Sequence, residues 1–238
     1  YARPTAPAAF WNDHTHVYGG RDLEQGGTWL GITRGGAIGA VTNFRRGNAP
    51  VESSRSRGEL VANYLRGNQR PADYLARVRR DAEAYNGFNL ILGDVDELRY
   101  FSNRGGQMTV VAPGVHGLSN HLLNTPWPKV DRGRQVLAEL LHAKPQVMID
   151  GLFELLAERT VAPDADLPET GVGLPRERVL SPAFIISPTY GTRSSTVILV
   201  DNHGQVVFIE RSFGDRGKLG RTATGRFALE MAPTPAAV

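Results

Sequence analysis

The order in which hydrophobic periods change along the chain limits its fold more than any single motif. Gly27 to Thr33 and Ala37 to Phe44 are strand-like, with Arg34-Gly35-Gly36 as the turn between them. Helical spacing follows at Leu60, Val61, Tyr64 and Leu65. It recurs at Tyr74, Leu75, Val78 and Ala82, with Pro71 near the first turn and Asn86-Gly87 as the stop. Strands return at Phe88 to Leu92, Leu98 to Asn103 and Gln107 to Val111, the first two joined by Asp94 to Glu97. Two more helical stretches come next, marked by Val136, Leu137, Leu140 and Leu141, then by Val147, Met148, Leu152, Leu155 and Leu156. The Pro-rich, polar residues 161–182 read as a long surface loop, a lid or an insertion. The end is β-rich, with strands expected at Ala183 to Ser187, Thr192 to Asp201, Gln205 to Ser212 and Arg226 to Met231. Runs of strands and helices in this order predict an α+β fold with antiparallel sheets, not an alternating βαβ fold.

Length and composition narrow the function classes. With 238 residues and 41% hydrophobic residues the chain can bury a large core. No apolar run approaches the roughly 18 residues of a membrane helix, and no basic-then-apolar leader opens the sequence; a cytoplasmic location is the expectation. Cysteine is absent, which excludes disulfides, thiolate zinc sites and a thiol nucleophile within these residues. No GxGxxG or GxxxxGK[ST] phosphate loop occurs.

The net charge is only +3, and three of the 27 basic residues are lysines, Lys129, Lys144 and Lys218. Such arginine-rich usage suggests a GC-rich bacterial source. Basic residues gather at Arg45, Arg46, Arg55 and Arg57 and again at Arg77, Arg79 and Arg80, where Asp81 and Glu83 interrupt them. No recognition helix, aromatic RNA-binding motif or zinc finger accompanies these clusters, so nucleic acid is not the expected partner. They read as a solvated face, with an anionic small ligand as the alternative.

Three segments carry candidate chemistry. Asn43 ends the second hairpin strand, and its amide offers two donors suited to an oxyanion. Asn120 lies in Val115-His116-Gly117-Leu118-Ser119-Asn120, a polar run after a strand. Arg193, in Tyr190-Gly191-Thr192-Arg193, enters the most apolar strand and needs a carboxylate or a ligand. Each has a plain alternative, as a strand-end residue, a loop cap or a structural ion pair. Trp29 suits the core or a pocket wall. His14 and His16 would share a face if extended, but no third metal ligand lies at a familiar spacing.

Taken together, Tyr1-Ala2-Arg3-Pro4, Gly26-Gly27-Thr28-Trp29-Leu30-Gly31, Thr42-Asn43, Arg57-Gly58-Glu59-Leu60, Tyr85-Asn86-Gly87-Phe88-Asn89-Leu90, Gly117-Leu118-Ser119-Asn120, Thr125-Pro126-Trp127 and Tyr190-Gly191-Thr192-Arg193 resemble, in this order, the transport and Golgi organization 2 family. It is also called the NRDE family after an Asn-Arg-Asp-Glu motif. The resemblance covers the whole chain and implies one domain over residues 1–238. The motif normally precedes the Tyr-x-Arg-Pro segment, so the expectation is that a first strand, the motif and a cysteine belong upstream of Tyr1.

The family is similar to N-terminal-nucleophile (Ntn) hydrolases, which implies a four-layer αββα sandwich. By that resemblance Asn43 and Asn120 would serve an oxyanion and Arg193 would orient the nucleophile's end. The implied functions are two. One is binding and trafficking of heme or another hydrophobic or anionic metabolite, with heme as cargo and not a required cofactor. Its arginines would meet propionates, Trp29 would wall the pocket, and His116 or His121, or else His14 or His16, would ligate iron. The other is an amidohydrolase or acyltransferase acting on an amide C–N bond, with an N-terminal cysteine upstream of Tyr1 as nucleophile and its own amine as base.

Overall fold

A computed structural model describes residues 3–47 and 55–230 of the chain. Seven strands form one antiparallel meander in sequence order: β1 Thr5–Phe10, β2 Val17–Asp22, β3 Leu30–Thr33, β4 Ile38–Asn43, β5 Phe88–Gly93, β6 Leu98–Ser102 and β7 Met108–Val110. Helices α1 Gly58–Arg66 and α2 Pro71–Arg80 interrupt it between β4 and β5. Helices α3 Pro128–Leu140, α4 Pro145–Leu156 and α5 Leu174–Leu180 follow. Strands β8 Ser194–Val200, β9 Gln205–Phe213 and β10 Leu219–Ala228 make a second antiparallel sheet, with β9 in the middle. The architecture is mixed, with antiparallel sheets, as the order of periodicities predicts. Among the described residues no helix is long and apolar enough to cross a membrane.

Three apolar interfaces hold these elements. Leu60, Val61 and Leu65 of α1 and Tyr74, Leu75 and Val78 of α2 pack on Phe88, Leu90 and Leu92 of β5. Those β5 residues are two apart, so one pleat face points at the helices. Tyr18 and Ile32 of the large sheet meet Val206 and Phe208 of β9 and Ala223 of β10. On the opposite face of β9, Val207 and Ile209 pack with Val197 against Ile149 and Phe153 of α4. The alternation along β9 thus serves two different layers. Pro71, Pro128 and Pro145 sit at the first positions of α2, α3 and α4, where a missing N–H costs nothing.

Several boundaries differ from the sequence expectation. β1 and β2 have no counterpart in it: TAPAAF and VYGGRD are poor in β-branched residues, and β2 is buried on both faces, so no alternation marks it. The stretch 161–182 is not all loop, since it contains α5. Ala183 to Ser187 forms no strand; only the isolated bridge Ile186 to Gly191 occurs there. The last strand begins at Leu219, earlier than Arg226, because it follows β9 through a full hairpin. Its expected end at Met231 lies outside the described residues, as does Tyr1-Ala2 of the first motif.

Candidate ligand site

A cavity of about 450 Å³ opens where the β2–β3 connection, the end of β4 and the start of α1 converge. Its geometry begins with two glycines. A Cβ on Gly27 would lie 2.6 Å from the carbonyl carbon of Gly58, so only glycine lets the two backbones cross there. Thr28 N–H donates to Gly58 O at 3.1 Å across this crossing. The start of α1 is thereby pinned against Thr28, next to Trp29, whose own carbonyl accepts from Val41 N–H at 3.0 Å. Trp29 and Val41 give the cavity an apolar wall, and Gly58 places the first turn of α1 on its border. No side chain caps that helix start; Glu59 and Leu60 N–H donate to Ser56 O and Arg57 O, and the positive dipole end still favours an anion.

Charge reinforces this. Arg3, Arg55 and Arg57 line the cavity with one carboxylate, Asp22. Asp22 is already engaged: it accepts from Arg3 and from the backbone N–H of Glu24 and Gln25. Arg55 pairs with Glu59 at 2.6 Å. Arg57 donates to Gly87 O at 3.1 Å and has no carboxylate within ion-pair distance among the described residues. Burial lowers its pKa from the ordinary value, and the charge of Arg3 pushes the same way. A half-buried guanidinium with spare donors, beside a second cation, is arranged to receive an anionic group. The Arg45, Arg46, Arg55, Arg57 cluster is therefore not one solvated face. Arg55 and Arg57 line the cavity, and Arg45 is buried elsewhere.

Of the residues singled out in the sequence, Asn43 and Trp29 line this cavity. Arg193 reaches its rim from β8's entrance, donating to Arg3 O at 3.0 Å and Thr5 Oγ1 at 3.2 Å. Asn120 does not line it. The Asn120 amide donates to the backbone carbonyl of Asn43 at 3.0 Å, and its oxygen accepts from Arg45 at 3.3 Å. It ties the 117–127 segment to the end of β4. His116 holds Ala112 O and the Asn124 amide with its two ring nitrogens. His121 lies between Phe44 and Trp127, with Nδ1 2.9 Å from Thr125 Oγ1, and burial lowers its pKa. Neither histidine borders the cavity. His14 and His16 stand edge to face at 6.1 Å, and His16 Nε2 is 3.1 Å from Leu65 O. Among the described residues no group of three or more metal-ligating side chains forms.

Two groups that sequence reasoning missed shape the surroundings. Asn89 is fully buried on β5, donating to Thr42 Oγ1 and His121 O and accepting from Tyr100 Oη. An asparagine inside an otherwise apolar strand was the available signal. Below β4, Arg45 and Glu177 of α5 form an ion pair at 2.8 Å with both side chains nearly inaccessible. Thr170 donates to the same carboxylate through both N–H and hydroxyl. Lys129 caps Leu180 O and Pro182 O nearby; burial, with Arg45 adding to it, brings its pKa down to about 8.

A profile of the family described as Transport and Golgi organisation 2 matches residues 1–215. The chain belongs to this family. It is 38% identical to the Transport and Golgi organization protein 2 homolog of Bos taurus, over 97% of this chain and 89% of the relative. Identity to the Homo sapiens homolog is 36% over the same shares. Transport and Golgi organization protein 2 of Drosophila melanogaster is 30% identical over 89% of this chain and 82% of its own length. The family resemblance read from the ordered motifs is thus established across nearly the whole chain.

Proposed function

We propose that this family member binds and hands on an anionic, largely hydrophobic metabolite, with heme the leading cargo. The observation that carries the reading is Arg57: a desolvated guanidinium without a carboxylate partner among the described residues, just ahead of α1, facing a cavity walled by Trp29 and Val41. A carboxylate or propionate entering there would replace the missing counter-charge, and the indole would cover its apolar body. No histidine borders the cavity, which suits cargo held for transfer rather than by a fixed axial ligand. The relatives' names refer to transport, in keeping with this role. Titration of the protein with hemin and, separately, with oleate tests it. Saturable binding of at least one at micromolar protein is the expected result; binding of neither overturns the reading.

The layer order of two helices, two sheets and a further helix pair supports an Ntn-hydrolase-like αββα scaffold. A second reading, hydrolysis or acyl transfer at an amide, is favoured by Asn43 in the cavity wall and Arg193 at its rim. The 238 residues hold no thiol, so on this reading a cysteine upstream of Tyr1 would be the nucleophile. An electrophilic amide probe should label that terminal cysteine in a protein carrying the upstream segment; absence of labelling removes the second reading.

A further inference from the structure

The second arginine cluster, Arg77, Arg79 and Arg80, takes no part in the binding reading. Arg77 of α2 lines a separate cavity of about 280 Å³, beside α1 and the turn 81–85. Its guanidinium lies 4.9 Å from the centre of the Tyr74 ring. Arg55 lines the same cavity, with its guanidinium 5.1 Å from the centre of the Tyr85 ring. Both rings are fixed. Tyr74 is 1% exposed and donates to Leu60 O at 2.6 Å; Tyr85 is 5% exposed and donates to Glu59 Oε1. Each arginine therefore rests against an immobile aromatic surface, which reduces the entropy lost when its donors meet a ligand.

The donors are there to be used. Glu59 meets Arg55 through Nε, so the terminal nitrogens of Arg55 remain as donors. Arg77 has no carboxylate within ion-pair distance among the described residues. Asp81 also lines the cavity, but it is exposed, where water and salt screen it, and it pairs with neither arginine. The amide of Asn63 adds two further donors to the wall. Arg55 also lines the larger cavity, so the two cavities share one cation.

We infer that the smaller cavity is a second binding site, for the phosphate group of a small polar metabolite, and that it opposes binding in the larger cavity through Arg55. Two guanidinium forks match the charge and the oxygen geometry of a phosphate. A volume of about 280 Å³ holds a phosphate with a few further atoms and not a heme-sized body. The site stands without the binding reading; the opposition rests on it. A phosphate that engages Arg55 withdraws that cation from the acid group of the main cargo, and such coupling acts equally in both directions.

Inorganic phosphate is the probe, titrated by calorimetry at constant ionic strength. Wild type should bind it saturably. Arg77→Gln keeps a stem beside Tyr74 but no charge, and should weaken phosphate roughly 10-fold. Arg80→Gln removes an exposed arginine of the same helix that lies outside the cavity, and should leave phosphate affinity unchanged. Absence of saturable binding to wild type, or equal losses in the two variants, overturns the site. Saturating phosphate should also weaken hemin severalfold in wild type and have no effect on hemin in Arg77→Gln. Hemin that binds wild type equally well with and without phosphate overturns the opposition. If phosphate binds and hemin does not, the binding reading and the opposition fail and the phosphate site stands.

Discussion

Replacing Glu177 by alanine would test how the segment after α4 is held to the cavity's supporting strand. Glu177 and Arg45 are 2.8 Å apart, with side chains 4% and 8% exposed. At an effective dielectric of about 20 a pair at that distance attracts by about 6 kcal/mol, before desolvation is subtracted. Removing one partner leaves Arg45 buried without its counter-charge, a change that costs about 3–5 kcal/mol. Both Thr170 donors lose their acceptor as well. For a domain of this size each kcal/mol moves Tm by about 2–4 °C, so Glu177→Ala should melt roughly 6–20 °C below wild type in a thermal denaturation scan. The double variant Arg45→Met with Glu177→Leu removes both charges and should recover part of the loss, because no charge is left stranded, while the Thr170 donors stay without their acceptor. A drop below about 2 °C in the single variant, or a double variant as unstable as the single, would refute the claim that this buried pair fastens α5 to the end of β4.

Two further changes probe the cavity wall and the space between the sheets. A Cβ on Gly20 would lie 2.5 Å from Cζ2 of Trp29, so Gly20→Ala should displace the indole, change its fluorescence and weaken hemin at least severalfold; an unaltered emission spectrum would show that the ring does not rest on Gly20. Glu210 is 2% exposed, with Oε1 on Ala8 N–H and Oε2 without a partner among the described residues, and burial raises its pKa above 4.5. The folded state then holds this proton more tightly than the unfolded state, so the carboxyl's contribution is complete below about pH 4.5 and is lost as pH rises through the folded value. Wild type should therefore lose Tm relative to Glu210→Gln between pH 4.5 and 7.5, and parallel profiles would contradict this.

The hairpin of β3 and β4, the pairs α1–α2 and α3–α4 and the central strands of both sheets were legible because their apolar residues recur at clear periods. β1 and β2 were not, since Ala, Pro and Gly dominate them and their burial comes from the second sheet. Helix α5 is short and polar. Its buried Glu177 is satisfied by an arginine 132 residues away, a partner no local pattern reveals. The site was half legible. Asn43 and Trp29 stood out by type and do line the cavity, yet Arg57 looked like one surface arginine among many. Its distinction comes from the Gly27–Gly58 crossing, which sets the start of α1 against Thr28 and so on the border of the cavity that Trp29 walls. Asn120 was conspicuous for a different reason, as the link that holds a loop to β4.

A crystal structure of the protein with hemin bound measures the central claim most directly. The account predicts an acid group within hydrogen-bond distance of the Arg57 guanidinium, at the start of α1, with the ring system against Trp29. Hemin seated elsewhere, with Arg57 still meeting only Gly87 O, would contradict it.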